Sequence, residues 1–141
     1  APHPFYTRGF ILHDERRAPE LIARAYAHKN AARNLLVKGK CDYVVNRGSI
    51  VKIISEPSEE AMEAIGGTGD TLTGIVSALI AAGLTIPDAS ICAAISNRLA
   101  GYFARPTPAT TITEIIFHIP ASLKETLAAR ELPFKESNAI P

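Results

Sequence analysis

Five consecutive residues, Gly66-Gly67-Thr68-Gly69-Asp70, constrain this chain more than any other stretch. Three glycines and a threonine in five positions add nothing to a hydrophobic core. Glycine lets backbone N–H groups turn toward a common point and lets a ligand come close to the main chain. The segment runs straight into Thr71–Ile80, where Leu72, Ile75, Val76, Leu79 and Ile80 share one helical face. The spacing predicts a helix over Asp70–Ala82, stopped by Gly83. A glycine-rich turn at a helix N-terminus is a ready anion site, because unpaired N–H donors and the positive end of the dipole converge there. Asp70 is out of place in such a site unless it has a chemical task, since a carboxylate repels a phosphate. The fitting task is to handle a proton on a group next to that phosphate. The plainer alternative is that Asp70 caps the helix, as Asp commonly does. Capping alone needs no run of glycines.

The rest of the chain places this turn in an α/β fold. Pro2 and Pro4 exclude a helix from Ala1–His13, which reads as a strand end and loop. Pro19 suits a first helical turn. Leu21, Ile22, Ala25, Tyr26 and Ala32 then make the stripe of an amphipathic helix ending near Asn34. Leu35–Val37 is a short buried strand. Tyr43–Val45 and Ile50–Ile54, separated by Asn46-Arg47-Gly48-Ser49, read as a hairpin, with Asn46 structural in its turn and Arg47 solvated. Ser55–Met62 is an acidic loop. A further helix runs from about Pro87 to about Phe103, and Arg105–Ala109 is a turn. Thr111 and Glu114 have capping-box spacing for a last helix, which Pro120 interrupts or restarts. Residues 129–141 are a polar tail. The 141 residues are one domain's worth of chain, enough for a single core.

Composition removes several function classes. A net charge of +1 makes no electrostatic case for nucleic acid or an acidic membrane surface. No apolar run approaches the roughly 18 residues of a membrane span, and no segment reads as a signal peptide, so the expected location is the cytoplasm. Cys41 and Cys92 form no disulfide framework. With His3, His13, His28 and His118 they have no metal-ligand spacing. No Ser-His-Asp or Cys-His arrangement stands out. Lys38-Gly39 closes an apolar strand, where a lysine can reach a phosphate as a point charge or simply sit in solvent.

Four segments, in order and spacing, carry a resemblance. They are Leu35–Val45 (LLVKGKCDYVV), Gly66–Leu84 (GGTGDTLTGIVSALIAAGL), Leu99–Gly101 (LAG) and Thr113–Leu123 (TEIIFHIPASL). Together they resemble the C-terminal half of the ADP/ATP-dependent NAD(P)H-hydrate dehydratases, members of the ribokinase-like superfamily. Ala1-Pro2-His3-Pro4 is similar to the family's opening turn. The resemblance implies a partial three-layer sandwich, with a short, mostly parallel sheet, the hairpin and flanking helices. It implies ADP or ATP as nucleotide, with Mg²⁺, and a small-molecule substrate. Asp70 becomes the catalytic base; Gly66, Gly67, Thr68 and Gly69 hold the transferred phosphoryl group. Lys38 and Asn97 fall on the nucleotide side and His3 near the substrate. The runners-up are a sugar or vitamin kinase of the same superfamily and a diverged, non-catalytic module that binds a nucleotide or a partner. Since the family's members are about twice as long, the chain is expected either to be completed by a missing N-terminal half or to self-associate.

Two departures from the family pattern stand out. The loop before the glycine turn carries Glu56, Glu59, Glu60 and Glu63 where the family has glycines and an asparagine. At ~4 Å and an effective dielectric near 20, each carboxylate–phosphate pair costs about 4 kcal/mol before screening. Before Leu99 stand Asn97-Arg98 in place of the family's His-Gly, and Tyr102 replaces an acid.

Overall fold

The computed structural model describes residues 32–58, 62 and 65–129. The loop Ala1–His13 with His3, almost all of the helix expected after Pro19, and the tail beyond Ala129 lie outside them; Asn34, the expected end of that helix, opens a strand. The chain divides into two compact units, Ala1–Ile53 and Ile54–Pro141.

The first unit holds, but for the last residue of β3, a three-stranded sheet in the order β1 (Asn34–Val37), β2 (Asp42–Asn46), β3 (Ser49–Ile54). β1 and β2 run antiparallel, with Leu35 opposite Val45 and Val37 opposite Tyr43. This corrects the mostly parallel sheet that the resemblance implied. The reason is chain length: only Lys38–Cys41 join the two strands, whereas a parallel crossover needs a dozen residues or more. The Asp42 carboxylate closes the connection by accepting from the Gly39 N–H at 3.2 Å. Arg47 and Gly48 make the expected hairpin turn, both with positive φ (52° and 79°), as a two-residue turn matched to strand twist requires. Asn46 is indeed structural: its amide donates to the Asn34 side chain at 2.6 Å across the ladder. Tyr43, Val44 and Val45 are buried in succession, so β2 is covered on both faces.

The second unit is helical. α1 (Thr68–Ala81) buries Leu72, Ile75 and Leu79, three of its five predicted apolar positions. α2 (Ile86–Ala104) packs against α1 and against two short helices, α3 (Ile112–Phe117) and α4 (Ile119–Ala128). α2 is buried on most of its surface because its inward residues are small: Ala89, Cys92, Ala93, Ala94 and Ala100 have no exposed area. Thr85 caps α2 by accepting from the Asp88 N–H at 3.3 Å. Burial pushes the Asp88 carboxyl above its usual range, with a hydrogen bond to Thr85 pulling partly back. Glu114 accepts from the Thr111 N–H at 2.8 Å, the capping interaction that the spacing predicts. Pro120, in the first turn of α4, restarts the helix.

Candidate functional site

The glycine turn opens α1 two residues earlier than periodicity predicts. Gly67 is the N-cap, with φ 97° and no side-chain cap. Only glycine takes that backbone conformation at low cost, and a Cβ there would also stand 3.1 Å from the side chain of Ile112. Thr71 N–H donates to the Gly67 carbonyl at 3.0 Å, which starts the helical ladder. The amides of Thr68, Gly69 and Asp70 precede any intrahelical acceptor and face outward at the positive end of the dipole. Gly66 and Gly69 are exposed, and apart from the adjacent main chain no atom of the described residues lies within 4 Å of where a Cβ would stand on either. Among the described residues, none covers these two positions of the turn.

Asp70 is the third residue of α1, not its cap, and its side chain is exposed. The cap alternative therefore fails on position. An acidic residue in a first turn gains from the dipole while leaving its carboxylate free to take a proton from a bound group.

Asn97, on α2, is brought to this turn. Its side-chain amide donates to the Thr68 carbonyl at 3.3 Å. The residue is fully buried, and its Oδ1 is an acceptor with no partner. Lys38 belongs to the other unit, half-buried just past β1. His3 lies outside the described residues, as do Glu59, Glu60 and Glu63 of the acidic loop. Among the described residues, no three His, Cys, Asp or Glu side chains stand close enough to hold a metal ion.

Sequence reasoning missed two residues. Arg98 has no exposed surface, and its Nη1 donates to the carbonyls of Ser55 and Pro57 at 3.3 and 3.0 Å. Met62 is buried against Gly101, together with Ala100 and Ile115. Gly101 thus makes room for a methionine. Neither carries a local sequence signal, since the partners of each lie far along the chain.

Residues 13–120 match the protein family described as NAD(P)H-hydrate dehydratase. The chain belongs to that family. Among curated relatives, an uncharacterized protein of Methanocaldococcus jannaschii, MJ1337, is 45% identical over 128 residues, which cover 90% of this chain and 55% of that one. The bifunctional NAD(P)H-hydrate repair enzyme Nnr of Hyperthermus butylicus is 34% identical over 109 residues, 76% of this chain and 18% of that protein. The chain thus spans about half of the first relative and less than a fifth of the second. No solved structure gives a significant match. No helix among the described residues is long and apolar enough to cross a membrane.

Proposed function

We propose that this member of the NAD(P)H-hydrate dehydratase family carries the phosphoryl-binding turn and the base of an ADP- or ATP-dependent dehydratase acting on hydrated NAD(P)H. The observation that carries the reading is the uncapped, open glycine turn with Asp70 exposed in the first turn of the same helix. Asp70 takes the proton of the hydrate's hydroxyl as that oxygen attacks the terminal phosphorus of the nucleotide. The bond from phosphorus to the leaving nucleotide breaks; the C–O bond of the phosphate ester formed then breaks, inorganic phosphate leaves, and the adjacent ring carbon gives up a proton to restore the double bond of the nicotinamide ring. The amides of Thr68, Gly69 and Asp70 offset the charge that gathers on the transferring phosphoryl oxygens. A divalent cation such as Mg²⁺ would accompany the nucleotide phosphates and offset their charge. Asn97 supports the turn from behind through Thr68.

The test is dehydration of NADH hydrate, followed by nicotinamide absorbance, with parent and Asp70→Asn side by side. Loss of a general base lowers turnover by roughly two orders of magnitude or more. The variant keeps the shape and polarity of an exposed side chain, so melting stays nearly unchanged. Equal, nonzero turnover by both proteins removes Asp70 as the base. A phosphorylated product that accumulates without elimination favours a ribokinase-like kinase. No nucleotide-dependent turnover by a folded parent favours a binding module.

A further inference from the structure

α2 grips the segment that feeds the glycine turn at three points. At the near end, Arg98 donates to the carbonyls of Ser55 and Pro57. In the middle, Met62 fills the space left by Gly101. At the far end, Asn97 donates to the carbonyl of Thr68, the first residue of α1. Asn97, Arg98 and Gly101 lie within little more than one turn of one helix. A buried guanidinium is expensive unless its donors are satisfied, and two main-chain carbonyls of one short loop supply acceptors here. Both bonds leave one nitrogen, Nη1, whose two N–H groups are fixed in the guanidinium plane. A lysine ammonium ends one bond nearer its Cα than Nη1 does, on a flexible stem, and so does not hold that position.

We propose that Arg98 is a positioning residue for the glycine turn: with Asn97 beside it, it ties Ser55, Pro57 and Thr68 to α2 and so sets the direction of the α1 amides. The effect on ligand binding rests on the function proposed above; this splint itself does not. Two backbone amides report on the segment directly. The Ile65 N–H donates to the Met62 carbonyl at 2.9 Å, and the Thr71 N–H to Gly67 at 3.0 Å. The Ser122 N–H, which donates to His118 at 3.0 Å in α4, serves as the remote control.

The experiment is site-resolved hydrogen exchange on the parent, Arg98→Lys and Asn97→Ala, with ADP titrated into each by calorimetry. In Arg98→Lys, exchange at Ile65 and Thr71 is expected to quicken at least tenfold while Ser122 keeps the parent rate, and the Kd for ADP to rise tenfold or more. In Asn97→Ala, Thr71 quickens more than Ile65. Equal acceleration at Ser122, Ile65 and Thr71 makes Arg98 a prop of the whole unit and overturns the proposal. Unchanged rates at Ile65 and Thr71 overturn it as well. If Arg98→Lys does not fold, Asn97→Ala decides alone: parent-like exchange at Thr71 sinks the splint. A parent that binds no ADP counts against the proposed function, and the exchange rates still judge the splint.

Discussion

The sulfur-bearing end of Met62 occupies the space that a side chain on Gly101 would need: a Cβ there would lie 2.8 Å from the Met62 Cε and Cγ and closer still to Sδ. Met62 is 2% exposed and shares its cluster with Ala100 and Ile115. Alanine at Gly101 gains about 1 kcal/mol of helix propensity, but overpacking costs about 1–3 kcal/mol. Gly101→Ala is therefore expected to lower the melting temperature despite its better propensity. Met62→Ala alone opens a cavity. The double variant should be more stable than the two single losses added together, because each change relieves the other. Additive losses in a thermal-melting cycle would show that the two positions do not compete for space.

Gly67 and Gly69 stand two residues apart and should respond oppositely. At Gly67, alanine meets both a left-handed backbone and the Ile112 side chain 3.1 Å away. Gly67→Ala is expected to cost about 1–3 kcal/mol in denaturant unfolding. Gly69 is inside α1 with free space around it. Gly69→Ala should melt at or above the parent temperature, yet place a methyl group over the open turn and weaken ADP binding. A Gly69→Ala protein that binds ADP as the parent does would place the nucleotide elsewhere.

Asp88 predicts a pH dependence. Burial raises its folded pKa above the ordinary 3.8, so the folded state holds the proton at pH values where the unfolded chain has already lost it. Its contribution is then full below the unfolded pKa and falls as pH rises through the folded one. Asp88→Asn removes that falling leg. Melting temperature followed from pH 3 to 7 should decline less steeply above pH 4 in the variant, and parallel curves would contradict the assignment.

The hairpin edge predicts self-association. β3 closes one side of the described sheet, and Val51 and Ile53 on it are 48% and 46% exposed. Unpaired strand edges with apolar side chains invite a partner strand. The parent should sediment as a dimer or larger at micromolar concentration. Ile53→Lys should shift it toward monomer with its circular dichroism unchanged. A parent that runs as a clean monomer would end this reading.

The hairpin was legible because Arg47-Gly48 is a short turn between β-rich runs, and the helices because their apolar periods and capping residues are local signals. The strand direction was misread where a family expectation outweighed a local fact: four residues between Val37 and Asp42 leave no room for a crossover. The glycine turn ahead of α1 was readable from the order of a few adjacent residues. Arg98 was not, because its partners are main-chain carbonyls more than 40 residues away, and carbonyls carry no sequence signature. Met62 was hidden for a similar reason: nothing in a loop residue's neighbours tells that a helical glycine far along the chain will receive it.

From Asp88 to Gly101, α2 buries eleven of its nineteen residues, and most of those are Ala, Ser, Cys or Gly. Such a helix has almost no neutral positions. Each extra carbon must push another element away, and each charge must find partners as Arg98 does. Evolutionary drift in this chain should therefore be channelled onto the outer helices and the strand edge. Along α2, change should come in linked pairs: a larger residue accepted only with a smaller one opposite, an arginine kept only while its carbonyls stay in place.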